Sequence, residues 1–153
     1  MPDNEYWPEL AAVWQHAEFA HPDRDLWEFL FFKNRDRGGA KAMMNKAERR
    51  AWSTLPKTFT VYRGQQDGRH RQGFSWTLSL KTAAWFASMR GGDRMKLVTA
   101  GRWKQGRGIV LAGIVKKADA LCYLNNRGEE EILVHPRWVH KISKSRPVPT
   151  ILH

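Results

Sequence analysis

The spacing of the apolar residues changes once along this chain of 153 residues, near Leu55-Pro56. Before that point apolar side chains recur at steps of three and four residues, which is the spacing of one helix face. After it the chain consists of short runs rich in β-branched and aromatic residues, separated by glycine, asparagine or proline, which is typical of strands. Helices that precede strands in this way predict an α+β fold.

The N-terminal part predicts three helices. Two apolar stripes, residues 10–17 and 26–32, are separated by His21-Pro22-Asp23. Gly38-Gly39 then separates them from a third amphipathic stretch, AKAMMNKAERRAW, which ends ahead of Leu55.

The C-terminal part predicts a sheet. TFTVYRG and GFSWTLSL are expected to be strands, and Ser79 is expected to cap a helix, KTAAWFASMR, that ends at Gly91-Gly92. Further strands are predicted in KLVTAGRW, GIVLAGIVKK, ALCYL, EILVH and VHKISK. We expect one domain over residues 1–153, with helical residues 1–56 followed by a mostly antiparallel, β-rich core over residues 57–153.

The charge of the chain is large and unevenly distributed. The net charge is +11, but seven acids and one arginine precede residue 29, so this segment is near −6 and the rest near +17. The positive charge of the chain after residue 28 favours an anionic partner, whether nucleic acid, a dinucleotide or an acidic protein face. A solubilising surface with no partner is the alternative.

Cysteine usage and hydropathy indicate the compartment. The single Cys122 excludes an intramolecular disulfide and a cysteine-based zinc cluster, which favours a reducing environment. The N-terminus has no signal-peptide pattern, and no apolar run is long enough to span a bilayer. We expect a monomer that is made in the cytoplasm and has no membrane partner. Two alternatives stay open: delivery by a machine that needs no cleavable signal, and a phage origin.

The first predicted strand carries residues suited to a phosphate-bearing ligand, and the second places two hydroxyl groups on one face. Arg63 offers a planar fork of donors that matches pyrophosphate oxygens, and Gly64 permits close approach to the backbone. Alternation in the next strand puts Ser75 and Thr77 on one face and Trp76 on the other.

Three acids, residues 129–131, directly precede the apolar run that begins at Ile132. Alternation puts Glu129 and Glu131 on the same side, where like charges repel, so stability alone does not favour the arrangement. A solvated acidic turn is the alternative interpretation. The basic character of the surrounding chain makes this cluster a candidate site.

The order of these motifs resembles the Arg-Ser-Glu clade of ADP-ribosyltransferases, the cholera-toxin-like group. The resemblance is carried by VYRG, GFSWTLSLKTAAWFA and RGEEEILVHP, between Phe59 and Pro136. It implies an ADP-ribosyltransferase-like fold with a split β-sheet around an NAD cleft. It also implies that the protein cleaves NAD+ as co-substrate and transfers ADP-ribose to a macromolecule, a protein (such as an arginine side chain) being favoured over nucleic acid.

The resemblance implies a role for each motif residue. Arg63 would hold the NAD+ phosphates and nicotinamide ribose, and the Gly64 backbone would bond the nicotinamide carboxamide. Ser75 would position Glu131, which would bond the ribose 2′-hydroxyl and stabilise the transition state. Glu129 would orient or deprotonate the acceptor. The implied cofactor-binding set is Arg63, Gly64, Ser75, Trp76, Thr77 and Phe86.

Trp76 departs from the family pattern, because the middle residue of the Ser-x-Thr motif is commonly small and polar. Its ring is expected either to pack in the core, which we favour, or to form a stacking wall near the nicotinamide. The suitability of Glu131 does not depend on the family, because cleavage of a glycosidic bond develops positive charge on the ribose and a nearby carboxylate lowers the barrier.

Other functions stay open. A basic nucleic-acid-binding module or ribonuclease-type toxin fits the charge and the eight tryptophans, and an ADP-ribosyltransferase acting on RNA or DNA combines the two interpretations. Simple hydrolysis of NAD+ is a further alternative. Neither a P-loop, a metal site nor a serine-hydrolase elbow is predicted, and the biological setting, as toxin, effector, phage factor or defence protein, is open.

Overall fold

The computed structural model describes residues 1–16, 24–66, 73–88 and 108–146, which form the predicted α+β fold. The helical elements are α1 (Asp3–His16), α2 (Arg24–Glu28), a π-helical turn (Phe29–Lys33), a 3-10 helix (Arg37–Met43), α3 (Lys46–Thr54) and α4 (Leu80–Ala87). The strands are β1 (Thr58–Gln66), β2 (Ser75–Thr77), β3 (Gly108–Lys116), β4 (Ala120–Leu124), β5 (Glu131–Val134) and β6 (His140–Ser145). Within these ranges no helix has the length and apolar character needed to cross a membrane.

The described strands form one six-stranded sheet in the order β4-β5-β2-β1-β3-β6. Every pair is antiparallel. β1 and β3 are in register along their whole length, from Thr58 opposite Lys116 to Gln66 opposite Gly108. β1 and β2 are in register only at Tyr62 and Thr77. The sheet therefore consists of two three-stranded halves that meet at a narrow junction, which we call the seam.

The third predicted helix is two elements rather than one. The first ends at Met43, with Met44 as its C-cap. Asn45 caps the second: its side chain accepts the N–H of Glu48, and the Glu48 carboxylate accepts the N–H of Asn45, each at 2.8 Å. This capping box makes Lys46 the natural start of α3. The other Glu48 oxygen accepts the N–H of Asn125 at 2.6 Å, so the same side chain attaches α3 to the turn after β4.

The second predicted strand is shorter than expected. The Thr77 hydroxyl accepts the N–H of Ser79 at 3.0 Å, and the Ser79 hydroxyl accepts the N–H of Thr82 at 3.1 Å. The chain therefore turns immediately after Thr77 and enters α4, with Ser79 as the predicted cap. The helix ends at Ala87, with Ser88 in an extended conformation as its C-cap, so the predicted continuation to Gly91-Gly92 is wrong. The predicted strand KLVTAGRW lies outside the described residues.

The core is built around aromatic side chains of the N-terminal helices. α1 buries Trp7, Leu10, Ala11 and Trp14 on one face. The Trp14 ring packs edge-on against Trp27 and Phe31, with ring centroids 4.9 and 5.1 Å apart. β4 and β5 are buried on both faces, so this half of the sheet lies inside the protein.

Helix α4 lies directly against the backbone of β1 and β3 because two glycines face it. A Cβ built at Gly64 would overlap the carbonyl oxygen of Ala83 and lie 2.7 Å from the backbone nitrogen of Ala87. A Cβ at Gly108 would overlap the carbonyl oxygen of Ala87. Gly64 therefore has a packing role in the fold, whatever its role toward a ligand.

Gly64→Ala is expected to reduce the free energy of unfolding by about 1–3 kcal/mol, because the added methyl group meets helix backbone that cannot rotate away. Gly38→Ala is the matched control, since a Cβ there would lie 3.6 Å from its nearest neighbour, an ordinary contact. Urea unfolding followed by tryptophan fluorescence measures both variants. Equal stability of the two would contradict the close contact between α4 and β1.

Candidate functional site

Arg63, Ser75 and Glu131 form a connected chain across three adjacent strands. Nη1 of Arg63 on β1 donates to the carbonyl oxygen of Ser75 on β2 at 2.7 Å. The Ser75 hydroxyl in turn donates to Oε2 of Glu131 on β5 by a short hydrogen bond. The strand order β5-β2-β1 thus brings together three residues that are far apart in sequence.

Arg63 spans the seam. Its Nη1 bond to Ser75 crosses from β1 to β2 where these strands share a single registered pair. Its Nε donates to the side-chain carbonyl oxygen of Gln65 at 3.2 Å, and the backbone of Gly73 lies so close that a Cβ there would be 2.9 Å from Nη2. The guanidinium is therefore oriented by several groups and remains half-buried.

The carboxylate of Glu131 is buried, with 6% of the residue exposed. Besides Ser75, it accepts the indole N–H of Trp14, which lies 3.3 Å from Oε1 and 3.2 Å from Oε2. Burial raises the pKa of Glu131, and the hydrogen bonds from Ser75 and Trp14 and the charge of Arg127 oppose that rise. A buried carboxylate with a raised pKa and fixed donors is typical of functional sites.

Trp14 is a site residue that the sequence pattern did not reveal. Its position in the apolar stripe of α1 predicts only core packing, which its ring does provide. The remaining signal is chemical, because the N–H of a buried tryptophan needs an acceptor. Nothing in the sequence indicates that this acceptor is a carboxylate 117 positions away.

The other two acids of the cluster have different environments. Glu130 has a positive φ of 47°, and its N–H donates to the Asn125 side chain at 2.9 Å. This conformation interrupts strand alternation just before β5. Glu129 is half-buried and lies 3.5 Å from Arg127, so a neighbouring cation reduces the repulsion expected between Glu129 and Glu131.

A small pocket opens beside the two glutamates. It is lined by Gln15, Leu124, Asn126, Arg127, Glu129 and Glu131. Arg63 and Ser75 are not part of its lining. Glu131 thus borders this pocket together with Glu129, and its Oε2 accepts the Ser75 hydroxyl.

Trp76 and Thr77, predicted to contact the cofactor, serve the fold. Trp76 is 1% exposed within the main core and donates its indole N–H to the carbonyl oxygen of Gly73 at 3.0 Å. This placement favours core packing over a stacking wall. The Thr77 hydroxyl donates to the carbonyl oxygen of Glu129 at 2.7 Å, which holds the acidic turn against β2.

Gly64 and Phe86 lie where α4 packs on the sheet. Gly64 faces α4 through its missing side chain, and Phe86 on α4 is half-buried, with its ring centroid 4.9 Å from that of Trp85. Gly64 is on β1, and Phe86 is on α4, which packs against β1 and β3. Neither has a side chain that donates or accepts a hydrogen bond, so neither side chain extends the polar chain from Arg63 to Glu131.

A second polar cluster attaches α2 to the end of β5. Glu28 accepts hydrogen bonds from Lys33 at 2.8 Å and Arg24 at 3.1 Å, and lies 3.3 Å from Nε2 of His135. The bond from Lys33 is the main cause that lowers the pKa of Glu28 to about 2. Nδ1 of His135 accepts the N–H of Arg137, so its proton is on Nε2. The cluster fixes α2, and with it the Trp27 ring beside Trp14.

The described part of the chain has no cluster of residues suited to a metal. Across residues 1–16, 24–66, 73–88 and 108–146, no three histidine, cysteine or acidic side chains are close enough together to hold an ion. No known protein family, curated protein or solved structure matches this chain. The chemistry of the site is therefore inferred from its geometry.

Glu131→Gln is expected to stabilise the protein at neutral pH. The folded-state pKa of Glu131 is raised above its ordinary value of 4.5. The protonated carboxyl group therefore contributes most to the free energy of unfolding at a pH below the unfolded-state pKa. That contribution is lost as the pH rises through the folded-state pKa. The neutral amide avoids this loss, so the advantage of the variant should shrink on going from about pH 7.5 to about pH 4.5.

Urea unfolding at the two pH values measures this difference. Glu48→Gln is the matched control, because Glu48 is also buried but uses both oxygens to accept backbone N–H groups. We expect that control to be destabilised at neutral pH. A Glu131→Gln variant that loses stability at neutral pH and recovers in acid would show that the ionised form stabilises the fold.

Proposed function

We propose that this protein is an ADP-ribosyltransferase that cleaves NAD+ and transfers ADP-ribose to a macromolecular acceptor, with a protein favoured. The observation that carries the proposal is the hydrogen-bonded chain from Arg63 through Ser75 to the buried Glu131. The two halves of the sheet, which meet beside these residues, are compatible with the split sheet of an ADP-ribosyltransferase-like fold.

The reaction breaks the bond between nicotinamide and ribose. The bonding electron pair leaves with nicotinamide, and positive charge develops on the ribose. A carboxylate beside that carbon lowers the barrier through electrostatic stabilisation, which is strongest where water is excluded. Glu131 is buried and is oriented on one side by Ser75 and on the other by Trp14, so little reorganisation is needed when the charge appears.

Arg63 is suited to hold the phosphates. Its guanidinium is oriented by Gln65 and by the Ser75 carbonyl, and the side chain stays half-exposed. A planar cation fixed in this way matches the geometry of pyrophosphate oxygens. The bond to Ser75 couples the phosphate-binding group to the residue that positions Glu131.

Glu129 is suited to act on the acceptor. It lies in the same pocket as Glu131 and is more exposed, with 25% of its side chain accessible. A carboxylate there can accept the proton of the incoming nucleophile as a general base. Water in place of the acceptor would give hydrolysis of NAD+.

Glu131→Gln is expected to lower the rate of nicotinamide release by about 100- to 1,000-fold, because the amide cannot offset the developing charge. Radiolabelled NAD+ incubated with cell lysate measures the label transferred to macromolecules, and nicotinamide release measures cleavage. Protease and nuclease treatment of the product then identifies the class of acceptor. Unchanged cleavage by the variant would refute the proposed role of Glu131.

Two neighbouring variants provide controls for that experiment. Glu130→Gln removes the same charge one position away and is expected to retain cleavage. Glu129→Gln is expected to lose transfer to the acceptor while retaining most nicotinamide release, since it acts after the bond to nicotinamide weakens. Loss of cleavage in all three variants would indicate a general effect of charge or folding.

Trp14→Phe is expected to shift the acidic limb of the pH–rate profile to higher pH and to lower kcat about tenfold. The phenyl ring keeps the aromatic packing but removes the N–H that stabilises the ionised carboxylate, so the pKa of Glu131 rises. Trp27→Phe alters the neighbouring ring and leaves the Trp14 N–H in place. A profile for Trp14→Phe identical to that control would contradict the role of the N–H.

A further inference from the structure

The outer strand β6 is exposed and basic. Among the described strands it is the last of the sheet, paired with β3, and each of its six residues is exposed. The chain contains no acid from Ile132 to Arg146. We call the surface made by Arg137, Trp138, Lys141, Lys144 and Arg146 the basic edge; all five residues are exposed.

The basic edge extends to the face of the sheet on which Arg63 lies. Arg63 is in register with Leu111, and Leu111 is in register with Lys144. Side chains that are directly opposite in neighbouring strands lie on one face. Lys144 is therefore on the same face as Arg63, two strands and roughly 10 Å away, and Arg146 directly follows the end of β6.

The basic edge also carries apolar side chains. Trp138 is 37% exposed and Ile142 is 38% exposed. The guanidinium carbon of Arg137 lies 5.6 Å from the centroid of the Trp138 ring, over one face. An aromatic ring that is accessible beside cations is the combination with which proteins stack bases while neutralising phosphates.

Protection of a sheet edge explains only part of this surface. Lysines and irregular pairing on outer strands prevent association between sheets, and Lys141, with its positive φ of 53° next to a register shift, fits that purpose. The exposed side chains of Trp138 and Ile142 have the opposite effect, because apolar groups on an edge favour its association with another surface. These two side chains add an apolar contact surface beside the cations, which protection of the edge does not require.

We propose that the basic edge binds single-stranded nucleic acid, with cations contacting phosphates and Trp138 stacking on a base. An unpaired strand fits better than a duplex because its bases are accessible for stacking. An acidic peptide would satisfy the cations but would gain nothing specific from the Trp138 ring. This binding does not require NAD+ and stands independently of the proposed transferase reaction.

Fluorescence anisotropy tests the proposal with labelled single-stranded RNA and DNA of about 20 nucleotides, at salt from about 50 mM to about 200 mM. The paired variant Lys141→Gln/Lys144→Gln should weaken binding, because fewer phosphates are neutralised. The slope of log K against log salt should fall by about 0.7 for each phosphate that the variant no longer neutralises. Trp138→Ala should weaken binding about tenfold, with little change in that slope.

Lys46→Gln/Arg49→Gln is the matched control, because it removes the same charge from exposed positions on α3. This control should retain most of the affinity. Circular dichroism confirms that each variant is folded. Poly-glutamate and vesicles containing phosphatidylserine are tested as competitors of the bound oligonucleotide.

The proposal is supported when the oligonucleotide binds, the edge variants weaken binding and neither competitor displaces it at equal charge. It is overturned if the α3 control loses as much affinity as the edge variants, if Trp138→Ala binds like the unaltered protein, or if poly-glutamate or vesicles displace the oligonucleotide at equal charge. Absence of NAD+ cleavage leaves these outcomes unchanged, so failure of the transferase proposal and failure of this one are distinguishable.

Discussion

The buried carboxylate of Glu131 is the constraint on which the arrangement of this molecule depends. An ionised carboxylate in a nonpolar interior is costly unless donors surround it, and here the donors come from opposite directions. Ser75 is on the neighbouring strand, and Trp14 is on the first helix. The N-terminal helices therefore do more than cover a sheet. They supply the Trp14 N–H, one of the two donors that offset the cost of burying the Glu131 carboxylate.

The position of Trp14 is in turn fixed by its surroundings. Its ring packs against Trp27 and Phe31, and α2, which carries Trp27, is attached to the end of β5 by the hydrogen bonds of Glu28. Aromatic packing sets the ring plane, and so it sets the direction of the indole N–H. A donor fixed in this way does not have to reorient when charge develops nearby, which is the property that electrostatic catalysis requires.

The sequence predicted the elements and motifs better than it predicted how they meet. Strand-like runs and the Ser79 cap depend on local chemistry, which is readable along the chain. The adjacency of Arg63, Ser75 and Glu131 was expected only from the family that their motifs resemble. Hydrophobic spacing predicted one continuous helix here, whereas the capping box of Asn45 begins a separate one. The packing of α4 on Gly64 and the bond from Trp14 could not be predicted, because each depends on which elements meet in three dimensions.

The seam between β1 and β2 explains how Arg63 and Ser75 come to interact through a side chain and not only through strand pairing. Where strands pair fully, backbone groups satisfy one another and side chains are free to vary. At the seam only one pair is in register, so the carbonyl oxygen of Ser75 takes its donor from the Arg63 side chain instead. This exchange fixes a guanidinium next to a serine that is itself bonded to a buried carboxylate. A cation and an anion are thereby linked through one serine. That arrangement suits a substrate with phosphates at one end and a carbon that becomes positively charged at the other.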